Sequence, residues 1–186
     1  MLTAQQARAE LASVHTKEQL LSLIRRIDWA TTGSVTVLYS GMTGRFDAES
    51  TGVIRSGELA VALLESGNDV RIIDQSEVSK FLNMVDDNGN KDSFLADKFD
   101  ELFRDDPDGL SGFLYGDTVD GVRVPNSIWD ELSARFASEA IGEVVTLTGG
   151  ASMSRVFYQT ELPIILGNPK VTSIDGIPIA AFSGMT

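Results

Sequence analysis

The chain has no cysteine and only one histidine, His15. Without cysteine it can form no disulfide, thiolate nucleophile or cysteine zinc site. His15 lies in "ASVHTKEQ" at a predicted helix boundary, where a solvated imidazole is a more common outcome than a metal ligand or a general base. We therefore expect no metal site and no serine-histidine triad in this protein.

Positive charge and long apolar runs are also scarce. Fifteen Lys and Arg stand against 27 Asp and Glu, which gives a formal net charge of -12. Lys and Arg are what hold phosphate backbones and anionic lipids, so we expect neither nucleic acid nor a membrane as partner. No apolar run approaches the roughly 20 residues of a membrane span, and "MLTAQQARAELASV" lacks the features of a signal peptide. The expectation is a soluble protein without a classical export signal.

The first half of the chain has the pattern of helices followed by a βαβ unit. Its 186 residues, 42% of them hydrophobic, suit one domain with a real core. Apolar residues at helical spacing from Thr3 to Trp29 predict two N-terminal helices, the second capped by Thr16. "SVTVLYSG" predicts a strand ending at Tyr39, and "GELAVALLESGNDVRIID" predicts a helix, a glycine turn and a strand ending at Asp74.

The second half alternates helices with short strands. Helices are predicted for "SEVSKFLNMV", "SFLADKFDELF" and "IWDELSARFASEAIG", the last with Ile141 on its apolar face, and a loop for "RDDPDGLSGFLYGDTVDGVRVPN". "EVVTLTGG" predicts a buried strand, and "KVTSIDGIPIAAF" a last strand or hairpin. Because it contains Pro163, "VFYQTELPIIL" is predicted as an extended segment ending near Glu161.

These elements predict an α/β fold of two parts. N-terminal helices occupy residues 1–32, and residues 33–186 form one compact unit with a small, mostly parallel sheet flanked by helices. In such sheets the ligand crevice lies beyond the carboxyl ends of the strands, where Tyr39, Asp74 and Glu161 are expected to converge. A carboxylate among apolar residues costs several kcal/mol unless it is paired or protonated. Asp74 and Glu161 are thus either functional groups or paired structural ones.

The segment from Ile128 onwards resembles the ADP-ribosyl cyclase and NAD glycohydrolase family. It reads "IWDELSARFASEAIGEVVTLTGGASMSRVFYQTELPIILGNPKVTSI", with W-x-x-x-S-x-x-F-A before a pair of valines, then a lone Glu, then K-V. The resemblance implies that Trp129 stacks on the nicotinamide end of NAD and that Ser133 approaches the phosphates. It also makes Glu161 the catalytic residue, and Phe157, four residues earlier, fits the same pattern.

The resemblance extends more loosely toward the N-terminus. Where the family's first strand ends in Trp-Ser, "VLYSG" offers Tyr39 and Ser40. The family's acidic residue near the nicotinamide corresponds to Asp74 in "RIIDQSEVSKFL". Positive charge for the phosphates would come from Arg45 or Arg155, because glycine replaces the family's arginine after the first strand. The resemblance thus implies an ADP-ribosyl cyclase-like fold.

The resemblance also implies a function. The chain is expected to cleave the nicotinamide-ribose bond of NAD, its substrate, without a cofactor and with hydrolysis favoured over cyclisation. It is similar to bacterial NAD-degrading toxin domains, which implies specialised secretion, action in the cytoplasm of a target cell and a cognate immunity protein as a partner. Three alternatives stay open: a catalytically silent NAD or ADP-ribose sensor, an ADP-ribosyltransferase, and a protein-binding module without a nucleotide site.

Overall fold

The computed structural model describes residues 1–40, 42–43, 54–86, 88–149, 151 and 153–182. The helices are α1 (Ala4–Leu11), α2 (Lys17–Arg26), α3 (Ser56–Glu65), α4 (Glu77–Leu82), α5 (Ser93–Leu102), α6 (Pro107–Tyr115), α7 (Ile128–Ser138) and α8 (Leu162–Gly167). The strands are β1 (Val35–Tyr39), β2 (Met42–Thr43), β3 (Ile54–Arg55), β4 (Val70–Arg71), β5 (Thr118–Val119), β6 (Val122–Arg123), β7 (Gly142–Leu147), β8 (Val171–Ile174) and β9 (Ile177–Pro178). None of the helices in this described part of the chain has the length and apolar character that crossing a bilayer requires.

The central sheet has five strands in the order β4-β1-β7-β8-β9. Strands β4, β1, β7 and β8 run parallel, and only β9 pairs antiparallel with its neighbour. On β1, Leu38 belongs to the main hydrophobic core, while Val37 packs with Ala60 and Ile72 in a second, smaller cluster. Since neighbouring residues of a strand face opposite sides of the sheet, both faces are covered. The predicted α/β class with a mostly parallel sheet is confirmed.

The two N-terminal helices form as the sequence predicts. The Thr3 side chain caps α1 in a capping box with Gln6, and the Thr16 hydroxyl accepts a hydrogen bond from the Gln19 backbone N–H at the start of α2. Their apolar faces lie in the same core cluster as Leu38 of the sheet. The helices are therefore packed onto the α/β unit through shared hydrophobic contacts.

The strand predicted to end at Asp74 is shorter than expected. It ends at Arg71, and Asp74 lies in the 3-10 helix Ile73–Gln75 that follows. The side chain of Gln75 accepts a hydrogen bond from the Ile72 backbone N–H at 3.1 Å, a donor that a continuing strand would have given to its neighbour. Ser76 then caps α4. Asp74 is thus held by a turn.

The prediction of a loop before α7 is wrong, because this segment contains a helix and a hairpin. Asp106 caps α6 by accepting from the Gly109 N–H, and Pro107 occupies the first turn, where its missing N–H costs nothing. Strands β5 and β6 pair antiparallel around Asp120 and Gly121, which both have positive φ. Two such residues suit the tight turn of a two-residue hairpin.

Helix α7 starts as predicted but ends earlier. Ile128, Leu132 and Phe136 are buried on its inner face. The helix ends at Ser138, so Ile141 is not on that face and is 62% exposed. Gly142, with φ of 74°, turns the chain directly into β7. The expectation that Ile141 belongs to the buried face is therefore wrong.

The prediction of an extended segment around Glu161 is also wrong, because the chain there is helical. Residues Phe157–Glu161 form a π-helix that continues into α8. Pro163 has no N–H, and in a regular α-helix its ring would clash with the carbonyl of Gln159, four residues earlier. The Leu162 N–H donates to the Phe157 carbonyl, five residues back, so the helix is widened just before the proline. Pro163 therefore widens this helix without breaking it.

Candidate functional site

A cavity of about 660 Å³ opens at the carboxyl end of β1. Its walls come from β1, the start of α3, the 3-10 helix after β4, α7 and the π-helix. Its position agrees with the rule that ligands of parallel sheets bind beyond the carboxyl ends of the strands. The cavity brings together seven of the residues predicted from the sequence, which are Tyr39, Ser40, Asp74, Trp129, Ser133, Arg155 and Glu161.

Glu161 is the last residue of the π-helix and is only 5% exposed. Its Oε2 atom has no hydrogen-bond partner among the described residues. Burial raises the pKa of Glu161 to about 8, a hydrogen bond from Ser133 lowers it, and the negative charge of Asp130 raises it further. In most molecules the Glu161 carboxyl group is therefore protonated at pH 7. A buried carboxyl group with an unpaired oxygen in a cavity marks a candidate reactive group.

Helix α7 presents Trp129 and Ser133 to the cavity from successive turns. Side chains four residues apart share one face of a helix, and both side chains line the cavity to which Glu161 also contributes. Trp129 is half-buried and packs partly against the hydrophobic core, whereas Ser133 is buried. Ser127 caps the helix just before Trp129 and fixes where the first turn begins. The indole therefore forms part of the cavity wall.

Tyr39 and Asp74 form a hydrogen-bonded pair in the cavity wall. The Tyr39 hydroxyl donates to Oδ2 of Asp74. Burial raises the pKa of Asp74, and the hydrogen bond from Tyr39 partly offsets that rise. Burial, followed by the charges of Asp74 and Glu161, holds the pKa of Tyr39 well above its usual range. A Cβ on Gly57 would lie 3.1 Å from Cε2 of Tyr39, so this glycine leaves room for the phenol ring.

Charge is unevenly distributed around the cavity. The carboxyl groups of Asp74 and Glu161 lie beside the aromatic rings, while exposed Arg155 supplies positive charge. Ser40 follows β1, and its backbone N–H donates to the Leu147 carbonyl at 3.1 Å. Such a cavity suits a ligand with a flat cationic end and an anionic end. Among the residues that the structure describes, no three His, Asp or Glu side chains are grouped to hold a metal ion.

Of the two remaining predicted site residues, one does not line the cavity and the other lies outside the described residues. Phe157 is buried in the hydrophobic core, where its ring packs edge-on against Tyr158 with 4.8 Å between ring centroids. Arg45 lies outside the described residues. Phe157 thus supports the π-helix that carries Glu161, and Arg155 is the predicted phosphate-binding arginine that the structure places at the cavity.

The sequence analysis missed three polar residues of the cavity, which are Glu58 near the start of α3, Tyr115 and Asn83. Tyr115 closes α6 and lines the cavity, but it lies in the segment predicted as a loop. Asn83 follows α4 and reaches Asp74 with a long 3.5 Å contact from Nδ2 to Oδ1. The Asp106-Pro107 pair, a helix-start signal, would have indicated the helix that ends at Tyr115. No signal in the sequence pointed to Asn83.

The structure is that of an α/β protein with a cavity lined by acidic and aromatic side chains. Compared with known proteins, the chain matches no protein-family model, no curated protein and no solved structure. Its function has to be inferred from the cavity and from the residues that line it.

Proposed function

We propose that the protein is an NAD glycohydrolase with an ADP-ribosyl cyclase-like fold, cleaving the bond between nicotinamide and ribose. The observation that carries this proposal is Glu161, a buried carboxyl group with an unpaired oxygen. It shares one cavity with Trp129, Tyr39 and Asp74, the residues that the family resemblance assigns to the nicotinamide end of the substrate.

The cavity walls suit the oxidised nicotinamide ring. Its pyridinium is flat and cationic, and the faces of Tyr39 and Trp129 attract cations. Asp74 lies beside Tyr39, where its carboxyl group accepts a hydrogen bond from the nicotinamide carboxamide. Arg155 provides positive charge for the phosphates of the same substrate. The cavity volume of about 660 Å³ is within the range of small-molecule sites.

Glu161 supplies the catalytic group. When the bond between nicotinamide and ribose breaks, its electron pair leaves with nicotinamide and positive charge develops on the ribose. A carboxylate that accepts hydrogen bonds from the ribose hydroxyls stabilises this charge more in the transition state than in the ground state. Water then adds to the ribose carbon and loses a proton, which gives ADP-ribose. The cationic substrate favours the ionised carboxylate over the protonated form that dominates at pH 7.

The direct test is nicotinamide release from NAD by the purified protein and by Glu161→Gln. We expect the wild type to release nicotinamide and ADP-ribose, and Glu161→Gln to lose at least about a thousandfold in turnover. Glu143→Gln, which changes an exposed glutamate on β7, is the matched control and should behave as the wild type. Turnover retained in Glu161→Gln, or NAD binding without nicotinamide release in the wild type, would reject the proposal.

The biological outcome we propose is depletion of NAD in a bacterial target cell, as the resemblance to toxin domains implies. Induction of the chain in bacterial cytoplasm should lower cellular NAD and stop growth, whereas Glu161→Gln at equal abundance should do neither. Growth arrest by both the wild type and Glu161→Gln would show that toxicity does not depend on NAD cleavage. A cognate immunity protein would be recognised by its ability to restore NAD in the wild-type culture.

A further inference from the structure

Behind the cavity wall, Asp130 is a buried carboxylate whose two oxygens both accept hydrogen bonds. Its Oδ1 accepts a 2.7 Å hydrogen bond from the Thr160 hydroxyl. Its Oδ2 accepts from the Ser127 hydroxyl at 2.6 Å, from the Ser127 N–H at 3.0 Å and from the Arg123 guanidinium. Although burial would raise the pKa of Asp130, the hydrogen bonds from Arg123, Ser127 and Thr160 outweigh it and lower the pKa. Asp130 is therefore a fixed negative charge.

Arg123 connects Asp130 to two further elements. Its Nη1 donates to Oε1 of Gln159 on the π-helix at 2.6 Å, and the Gln159 amide donates back to the Arg123 carbonyl at 3.3 Å. Its Nε donates to the carbonyl of Tyr115, which lines the cavity, at 2.6 Å. One guanidinium therefore joins the end of α6, the start of α7 and the π-helix. The guanidinium-bearing side chain is 15% exposed, so these bonds are largely shielded from water.

These contacts form one network, which we call the Arg123–Asp130 network and which consists of Arg123, Ser127, Asp130, Gln159 and Thr160. Two members of the network, Gln159 and Thr160, are the two residues that precede Glu161 on the π-helix. Trp129 immediately precedes Asp130 on α7. The network therefore joins α7, next to Trp129, to the π-helix, next to Glu161.

We propose that Asp130 is a positioning residue for Glu161, and that the Arg123–Asp130 network sets the distance between the Glu161 carboxylate and the Trp129 wall. This proposal rests on the proposed function for its catalytic consequence only. Reacting groups displaced by about 1 Å lose about a hundredfold in rate, so a network that fixes both walls has a direct effect on turnover.

Asp130 has a second effect on Glu161, through its charge. Its negative charge disfavours a second negative charge on Glu161 nearby. The other titratable or charged groups of the cavity are Tyr39 on β1, Asp74 after β4, Glu58 on α3, Tyr115 at the end of α6 and Arg155 before the π-helix. None of them is replaced in Asp130→Asn, which removes one negative charge. A shift in the titration of Glu161 would therefore report on Asp130, and a role limited to packing would not cause it.

The test compares Asp130→Asn with Asp92→Asn. Asp92 is the matched control because it too is a buried aspartate at the start of a helix that pairs with an arginine, Arg8, but away from this cavity. We expect Asp130→Asn to lower kcat about a hundredfold with a smaller change in KM, and Asp92→Asn to change neither. In the ¹³C NMR titration of the Glu161 carboxyl, assigned by its absence in Glu161→Gln, the midpoint should move to lower pH in Asp130→Asn only.

A second variant covers the case in which Asp130→Asn does not fold. Thr160→Val keeps the ion pair and removes only the hydrogen bond to the π-helix, so we expect a lower kcat that Thr160→Ser restores. The proposal is overturned if Asp130→Asn matches Asp92→Asn in both kcat and titration, or if Thr160→Val turns over like the wild type. A wild-type protein that cleaves no NAD rejects the proposed function, while the NMR titration still decides whether Asp130 acts on Glu161.

Discussion

Two buried carboxyl groups lie on either side of the contact between α7 and the π-helix, and they differ in almost every electrostatic respect. Asp130 and Glu161 are both 5% exposed. Hydrogen bonds from three side chains lower the pKa of Asp130, whereas Glu161 keeps an unpaired oxygen and a pKa raised to about 8. Burial raises the pKa of both groups, but only at Asp130 do the hydrogen bonds outweigh it. The group without enough donors is the one that lines the cavity.

The largest effect we expect is on the pH dependence of stability at Glu161. Folding raises the pKa of this group from 4.5 to about 8, so the folded protein binds a proton that the unfolded chain has released. The free energy of unfolding must then fall as pH rises through this interval, by about 5 kcal/mol in total at about 1.4 kcal/mol per unit. Removing the ionisable group in Glu161→Gln should remove this loss.

Urea denaturation at several pH values between 4.5 and 8 measures this difference. The gap in unfolding free energy between Glu161→Gln and the wild type should grow steadily in favour of the variant. A constant gap over the whole interval would show that Glu161 is not the group with the raised pKa.

The paired group should show the opposite behaviour. Asp130→Asn leaves the Arg123 guanidinium largely buried without its charge partner, which costs about 3 kcal/mol or more. We expect this loss of unfolding free energy at pH 7, where Asp130 is ionised in the wild type, and a smaller loss as pH falls through the pKa of Asp130. Thermal unfolding measures it, and a variant as stable as the wild type would contradict the structural role of the ion pair.

A smaller effect is expected at the aromatic wall. Trp129→Ala should weaken NAD binding about tenfold or more, since stacking on an aromatic platform contributes about 1 to 3 kcal/mol. Calorimetry in the Glu161→Gln background avoids turnover, and Trp129→Phe should retain most of the affinity. If Trp129→Ala instead lowers the unfolding temperature with unchanged affinity, the indole is a core residue only.

The smallest expected effect concerns the hydrogen-bonded pair of Tyr39 and Asp74. Tyr39→Phe removes the hydrogen bond to Asp74 and should lower the unfolding free energy by about 1 kcal/mol. It should also raise the pKa of Asp74 further, because that hydrogen bond favours the ionised form. An NMR titration of Asp74 checks the direction, and an unchanged pKa would show that the Tyr39 hydroxyl does not act on this carboxyl group.

Local sequence patterns predicted the parts of the fold that follow local rules. Strand β1 is rich in β-branched residues, Thr16 caps α2, and α7 has an apolar face, so each element was visible in a short window. Helix α6 and the β5–β6 hairpin were missed because Asp, Pro and Gly were interpreted as a loop. In the structure Asp106 and Pro107 start a helix, and Asp120 and Gly121 close a hairpin.

The sequence predicted which residues line the cavity better than it predicted how they are arranged. Trp129, Ser133 and Glu161 follow a recognisable spacing, and the structure gathers them in one cavity. The Arg123–Asp130 network had no such signal, since Thr160 and Asp130 are 30 residues apart in the chain and Gln159 and Arg123 are 36 apart. Long-range polar pairing depends on how helices pack, which no local pattern of apolar residues reports.

The π-helix has an evolutionary consequence. A π-turn is an α-turn with one additional residue, and each residue of a helix rotates the chain by about 100°. Phe157 is buried in the core, whereas Glu161 lines the cavity. Deleting one residue between them would rotate Glu161 by about 100° relative to Phe157 and turn its carboxyl group away from the cavity.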